Sequence, residues 1–253
     1  MRLQTRGGLH RSDKFRGGET VTLSCEPTFE SIVRHYENCL ANHGATPHGV
    51  DWPNGADLAK RFEVMLGVRR PESGEGRRSF LDVGCGPGLL VDYLNATGRA
   101  ESVDYCGFDM SDAMVRAARD RWPDHRFLCA DIRRQPNLLP ITDYVVLNGV
   151  LTEKRDLSQT DMAMLACELL DVCFSRARIG MAFNVMSTHV DWMRDDLFHW
   201  PMDEAVEFAT RRLSRHVVVR ADYGLYEYTL YVYRQPTDSC SPGLEETSAW
   251  WKR

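Results

Sequence analysis

The segment Phe80-Leu81-Asp82-Val83-Gly84-Cys85-Gly86-Pro87-Gly88-Leu89-Leu90 constrains this chain more than any other. It reads as a short buried strand, a glycine turn and the start of a helix. Glycines at such a junction let a bulky polar ligand lie against bare backbone. The free N–H groups of the helix N-terminus then point at that ligand. The spacing here is G-x-G-x-G. A dinucleotide fingerprint asks for G-x-G-x-x-G, and Leu89 stands where its third glycine would be. The acid at Asp82 would repel a pyrophosphate and suits a ligand that carries an ammonium group.

From Ser79 to about Arg234, strand and helix patterns alternate, which predicts a mostly parallel sheet with helices on both faces. Strands are expected over Phe80–Val83, Ser102–Phe108, Arg126–Ala130, Asp143–Leu147 and Ile179–Val185. Helices are expected from Leu89, over Asp112–Arg121 behind a Ser111 cap, after a Ser158 cap, and over Asp203–Leu213. Two further strands, His216–Asp222 and Tyr226–Tyr233, are joined by a short turn at Gly224. So short a link forces them antiparallel. Ahead of this region, Phe29, Ile32, Val33, Tyr36 and Leu40 recur at helical spacing, as do Leu58, Ala59, Phe62, Met65 and Leu66. The expected organisation is an arm over residues 1–26, a helical lid over 27–75, a core over 76–235 and a tail over 236–253.

The glycine turn, with an acid in its strand, resembles the first motif of the class I S-adenosylmethionine (SAM)-dependent methyltransferases. The later strand ends strengthen the resemblance. Asp109 ends the second strand, Asp131 follows the third in Cys129-Ala130-Asp131-Ile132, and Asn148-Gly149 ends the fourth. The family implies a Rossmann-like, doubly wound α/β sheet of seven mostly parallel strands that closes in a C-terminal antiparallel β-hairpin, with an N-terminal helical lid. It implies SAM as the cofactor, held near the switch point of the sheet. Gly84, Cys85, Gly86 and Gly88 would pass along its methionine part, with Asp82 facing the amino group. Asp109 suits both ribose hydroxyls, since one carboxylate accepts two hydrogen bonds. Asp131 suits the adenine amino group, with Ala130 and Ile132 beside it. Met110 and Ile132 would sandwich the ring. Asn148 and Gly149 would hold the methionyl end, and Tyr36 and Trp52 would press on the sulfonium.

The acceptor side draws on two segments. The loop His43-Gly44-Ala45-Thr46-Pro47-His48-Gly49-Val50-Asp51-Trp52 offers His43, His48 and Asp51. It is similar to segments of methyltransferases found with bacterial surface-polysaccharide and natural-product genes, as are Asp143–Gly149 and Asp222–Glu227. The segment after the fifth strand offers Asn184, His189 and Trp192, and Glu153, Tyr223 and Tyr226 complete the set. His189 is the expected general base, with Asp51 or Glu153 in reserve and Asn148 near the reacting methyl. A base is needed only when the acceptor must lose a proton. A small-molecule substrate follows, most readily methylated on oxygen. Nitrogen methylation, another SAM-consuming reaction, RNA methylation and a catalytically silent SAM-binding partner are the other readings.

Bulk properties narrow these. The net charge of −5 gives no broad attraction for nucleic acid. No N-P-P-Y or D-P-P-Y follows the fourth strand. The 8 cysteines form no C-x-x-C pair, and no H-E-x-x-H occurs, so neither a structural zinc nor a catalytic metal is expected. Such cysteine usage, without a signal segment or an apolar span, suits a reduced cytoplasmic protein with no membrane partner. Trp250 and Trp251 are the tail residues suited to packing in a homodimer.

Overall fold

The computed structural model describes residues 29–71, 74 and 76–237. The expected arm and most of the expected tail, with Trp250 and Trp251, lie outside the described residues. One sheet of seven strands organises the rest: β1 (Arg78–Val83), β2 (Val103–Asp109), β3 (Arg126–Cys129), β4 (Thr142–Leu151), β5 (Ala177–Met186), β6 (His216–Arg220) and β7 (Glu227–Tyr233). Their spatial order is β3-β2-β1-β4-β5-β7-β6. The first five run parallel, and β7 is antiparallel to both β5 and β6. The family's seven-stranded sheet is therefore present.

Six α-helices flank the sheet: α1 (Glu30–His43), α2 (Gly55–Leu66), α3 (Leu89–Ala96), α4 (Asp112–Arg121), α5 (Gln159–Arg176) and α6 (Met202–Phe208). Side-chain alternation along each central strand splits the core in two. Leu81 and Val83 of β1, with Val145 and Leu147 of β4, pack under α1, α5 and α6. Phe80, Tyr144 and Val146 face the other way, under α2, α3 and α4. Helix starts follow local chemistry. The side chains of Asn54, Ser111 and Ser158 accept hydrogen bonds from the N–H groups of Ala56, Met114 and Asp161, satisfying donors that the helix leaves free. None of the described helices is long and apolar enough to cross a membrane.

Two elements depart from the sequence reading. The helix expected over Asp203–Leu213 is α6 followed by a π-helical turn over Ala209–Leu213. Asn148-Gly149 does not end β4. The strand continues to Leu151, with a register shift against β5 between Leu147 and Leu151 and with Gly149 at φ +75°. Glycine takes that left-handed conformation without the cost borne by other residues, so it accommodates the irregularity and lets the strand run on.

Candidate functional site

A cleft of about 800 Å³, counted to its open mouth, lies at the carboxyl ends of β1, β2 and β4. Strand order reverses between β1 and β4, where doubly wound sheets leave a crevice for ligands. Gly84 and Gly86 form its floor. Asp109, Met110 and Ser111 follow from the end of β2, Ile132 from beyond β3, and Asn148 and Gly149 from β4. The roof is Phe29, which precedes α1, and Ile32, Val33 and Tyr36 of α1, together with Val50 and Trp52 from the loop before α2. The backbone is bare where it has to be. A Cβ on Gly84 would come within 2.4 Å of Val150.

Asp109 organises the floor. One carboxylate oxygen accepts from Gly86 N at 2.9 Å and the other from Ser111 N at 2.9 Å. Burial pushes its pKa up while these N–H donors oppose the rise. The carboxylate's remaining lone pairs are available to a ligand hydroxyl. Ser111 also donates to Glu37 at 2.7 Å, which ties α1 to the β2–α4 turn. Asn148 Oδ1 is buried with no hydrogen-bond partner. An unmade bond of this kind costs on the order of 1–3 kcal/mol, which a ligand donor would recover. Bare glycine backbone, a carboxylate with spare lone pairs, an unpaired amide oxygen and the apolar walls of Met110 and Ile132 fit the chemistry of SAM. SAM combines an ammonium, two ribose hydroxyls and a flat ring.

A buried polar chain fixes the roof. Gly149 N donates to Asn184 Oδ1 at 2.8 Å, and Asn184 Nδ2 donates to Glu227 at 3.0 Å. Glu227 accepts twice from Arg61 Nε of α2, at 2.9 and 3.1 Å. The Arg61 guanidinium lies 3.8 Å from the centre of the Trp52 ring. A Cβ on Gly149 would come within 2.8 Å of that same ring. The chain thus closes on itself and seats Trp52 against the cleft.

Nine of the residues expected at the cofactor line the cleft: Tyr36, Trp52, Gly84, Gly86, Asp109, Met110, Ile132, Asn148 and Gly149. Others lie elsewhere. Asp82 points to the opposite side of β1, 4% exposed, and accepts from Tyr105 Oη at 2.8 Å. Strand alternation forces this, because Val83 takes the cleft side. Burial, with Asp109 adding, pushes the Asp82 carboxyl up to about 7, and the Tyr105 hydroxyl opposes the rise. Cys85 is buried, Gly88 backs onto Trp122, and Ala130 packs on the core. Asp131 lines a neighbouring charged cleft that shares Phe29, Val33 and Met110, and it pairs with Arg133 at 3.3 Å. Arg61 covers one face of Trp52, leaving less of the ring for a sulfonium than expected.

The acceptor set is dispersed. His189 is exposed outside the cleft, with its backbone N–H on Ser187 Oγ. Trp192 and Tyr226 are exposed, and Tyr223 is buried against Glu227 and Thr229. His43 and His48 are exposed beside each other. Asn184 belongs to the buried chain. Glu153, 6% exposed, pairs with Arg155 at 3.2 Å, and burial pushes its carboxyl up while Arg155 opposes. It lies in electrostatic reach of Tyr36. Asp51 turns away to His35, with Nε2 and Oδ2 2.8 Å apart, and Cys39 Sγ stands 3.8 Å from the same nitrogen. His35, Cys39, Arg61 and Glu227 are missed by the sequence reading. The signals were a charged residue inside the apolar stripe of α2, and a His and a Cys four residues apart on α1.

The sheet order and a cleft at its switch point are those of the class I SAM-dependent methyltransferase fold, and the comparisons agree. A family model described as a methyltransferase domain matches residues 80–173. A protein of Mycobacterium tuberculosis (strain H37Rv) named as a methyltransferase is 36% identical over 160 residues, covering 61% of this chain and 92% of that one. The magnesium protoporphyrin IX methyltransferase of Synechocystis PCC 6803, solved with S-adenosylhomocysteine (SAH), superimposes with TM-score 0.58 at 15% identity, over 81% of this chain and 100% of that one. The plantazolicin methyltransferase BamL gives 0.55 at 11% identity, over 82% and 100%. The chain belongs to the class I SAM-dependent methyltransferase family. When bound, SAM supplies a methyl group on a positively charged sulfur.

Proposed function

We propose that this enzyme methylates an oxygen atom of a small molecule, phosphorylated, sugar-derived or of natural-product type. The observation that carries the reading is the unpaired Asn148 Oδ1, buried in the cleft roofed by α1 and Trp52. Asp109 takes the ribose hydroxyls, Met110 and Ile132 flank the ring, and Asn148 accepts from the ammonium. A roof over the cleft favours a small acceptor over a polynucleotide, as does the net charge of −5. Placement of nucleophile, methyl and sulfur on one line is the main catalytic contribution, worth on the order of 7–11 kcal/mol. Where the acceptor must lose a proton, Glu153 is the proposed base. It is the buried carboxyl in electrostatic reach of Tyr36, which lines the cleft, and burial pushes its pKa above the ordinary glutamate value.

The test uses SAM with a labelled methyl group and a panel of phosphorylated sugars, small acids and phenols. Label bound to oxygen in an acceptor, formed with stoichiometric SAH, is the expected result. Label on nitrogen, or label found only in RNA, would replace the reading. SAH binding without transfer to any acceptor would favour a catalytically silent partner.

A further inference from the structure

We propose that His35, Cys39 and Asp51 form a binding site for a zinc-class divalent ion at the rim of the cleft. His35 and Cys39 lie one helical turn apart on α1, so both side chains leave the same face. Asp51 reaches them from the loop before α2. It sits at φ +59° and ψ +29°, a left-handed conformation that Asp tolerates better than most residues. One ligand atom from each residue, Nε2, Sγ and Oδ, falls within 4.8 Å of the others.

The spacing suits a small tetrahedral ion. With Zn–N of about 2.0–2.1 Å and Zn–S of about 2.3 Å, ligand atoms stand roughly 3.2–3.8 Å apart. The Sγ–Nε2 distance of 3.8 Å already meets this. The Nε2–Oδ2 pair, at 2.8 Å, opens by about half an ångström by moving Asp51, whose side chain is 42% exposed. A nitrogen, a sulfur and an oxygen donor together select zinc or cobalt over magnesium or calcium, which want oxygen alone. Three protein ligands leave the fourth position open, as zinc sites that handle a substrate do.

The location gives the site a use. His35 precedes Tyr36, and Asp51 lies between Val50 and Trp52. Tyr36, Val50 and Trp52 all line the cleft. An ion here clamps the roof loop onto α1 and offers its open position to an oxygen at the cleft mouth. None of this depends on which acceptor is methylated.

The test is cobalt binding to the purified full-length protein, followed by metal analysis after zinc exchange. Wild type should take up one zinc per chain and give, with cobalt, the intense visible bands of a tetrahedral site plus a thiolate charge-transfer band. Cys39→Ala should lose the charge-transfer band, and His35→Ala should lose stoichiometric uptake. Asp51→Asn, which keeps the left-handed backbone, should bind at least tenfold more weakly while melting like the metal-free wild type. Cys129→Ala, altering another half-buried cysteine, should bind as wild type does. Equal cobalt spectra in wild type and Cys39→Ala would overturn the proposal, and so would no zinc retained by wild type at micromolar free metal.

Discussion

The buried Arg61–Glu227 pair gives the most quantitative prediction. The two side chains are 9% and 1% exposed, and Arg61 Nε reaches both carboxylate oxygens. Arg61→Leu keeps an apolar contact for Trp52 but strips the counter-ion from a carboxylate that water cannot reach. Removing one member of a buried pair costs roughly 3–5 kcal/mol. Loss of the cation–π contact with Trp52 adds roughly 0.5–2 kcal/mol. Against a total stability of about 5–15 kcal/mol, the variant should stand near the edge of folding. Glu227→Leu should cost a similar amount, since it leaves the guanidinium unpaired and removes the acceptor of Asn184. The double variant buries no charge, so it should be more stable than either single one. Urea unfolding of the four proteins, followed by tryptophan fluorescence and circular dichroism, measures the cycle. A coupling of several kcal/mol is expected. Single variants within about 1 kcal/mol of wild type, with additive effects to within about 0.5 kcal/mol, would refute the role given to this buried pair.

Three further predictions follow from single residues. Gly149→Ala imposes a left-handed non-glycine residue and presses on Trp52, for a combined cost of roughly 2–5 kcal/mol, and SAH affinity should fall with it; calorimetric affinity equal to wild type would contradict the packing. Asp82 holds a proton in the folded chain up to about pH 7, whereas an unfolded Asp loses it near 3.9. The stability it contributes is therefore full below about pH 4 and is lost as pH rises towards 7. Asp82→Asn should flatten that slope and be more stable than wild type at pH 8, by up to roughly 4 kcal/mol; unchanged slopes in urea midpoints at pH 5 and 8 would contradict it. Glu153→Gln should lower kcat on the order of 10²–10⁴-fold for a proton-bearing acceptor, with SAH binding intact. In the unsubstituted enzyme the rate should rise with pH through a value above the ordinary glutamate range, because the base works ionised. Full turnover in the variant would remove Glu153 as base.

The succession of strands and helices along the chain, the caps at Ser111 and Ser158 and the floor of the cleft were legible in the sequence because each rests on local chemistry. Glycine spacing, cap residues and strand-end acids act within a few residues of one another. What was not legible depends on distant closure. Arg61 and Glu227 are 166 residues apart, and only the folded hairpin brings them together. The Asn-Gly pair in β4 carries a turn signal, yet pairing with β5 resumes at Leu151 and carries the strand onward. His189 and Trp192 follow a strand end, where site residues are expected. Their loop instead returns along the surface to bridge Leu197 with Glu153 and His199 with Met186, leaving both side chains outside. His35 was overlooked because its partner, Asp51, comes back from a loop 16 residues later.

The most direct test is calorimetric titration of SAH into wild type, Asp109→Asn and Asp109→Ala. Wild type should bind one equivalent saturably. Asp109→Ala should bind at least tenfold more weakly, about 1.4 kcal/mol, with Asp109→Asn between them and all three equally folded by circular dichroism. Equal affinity in all three proteins would place the cofactor away from the β2 end of this cleft and contradict the assignment.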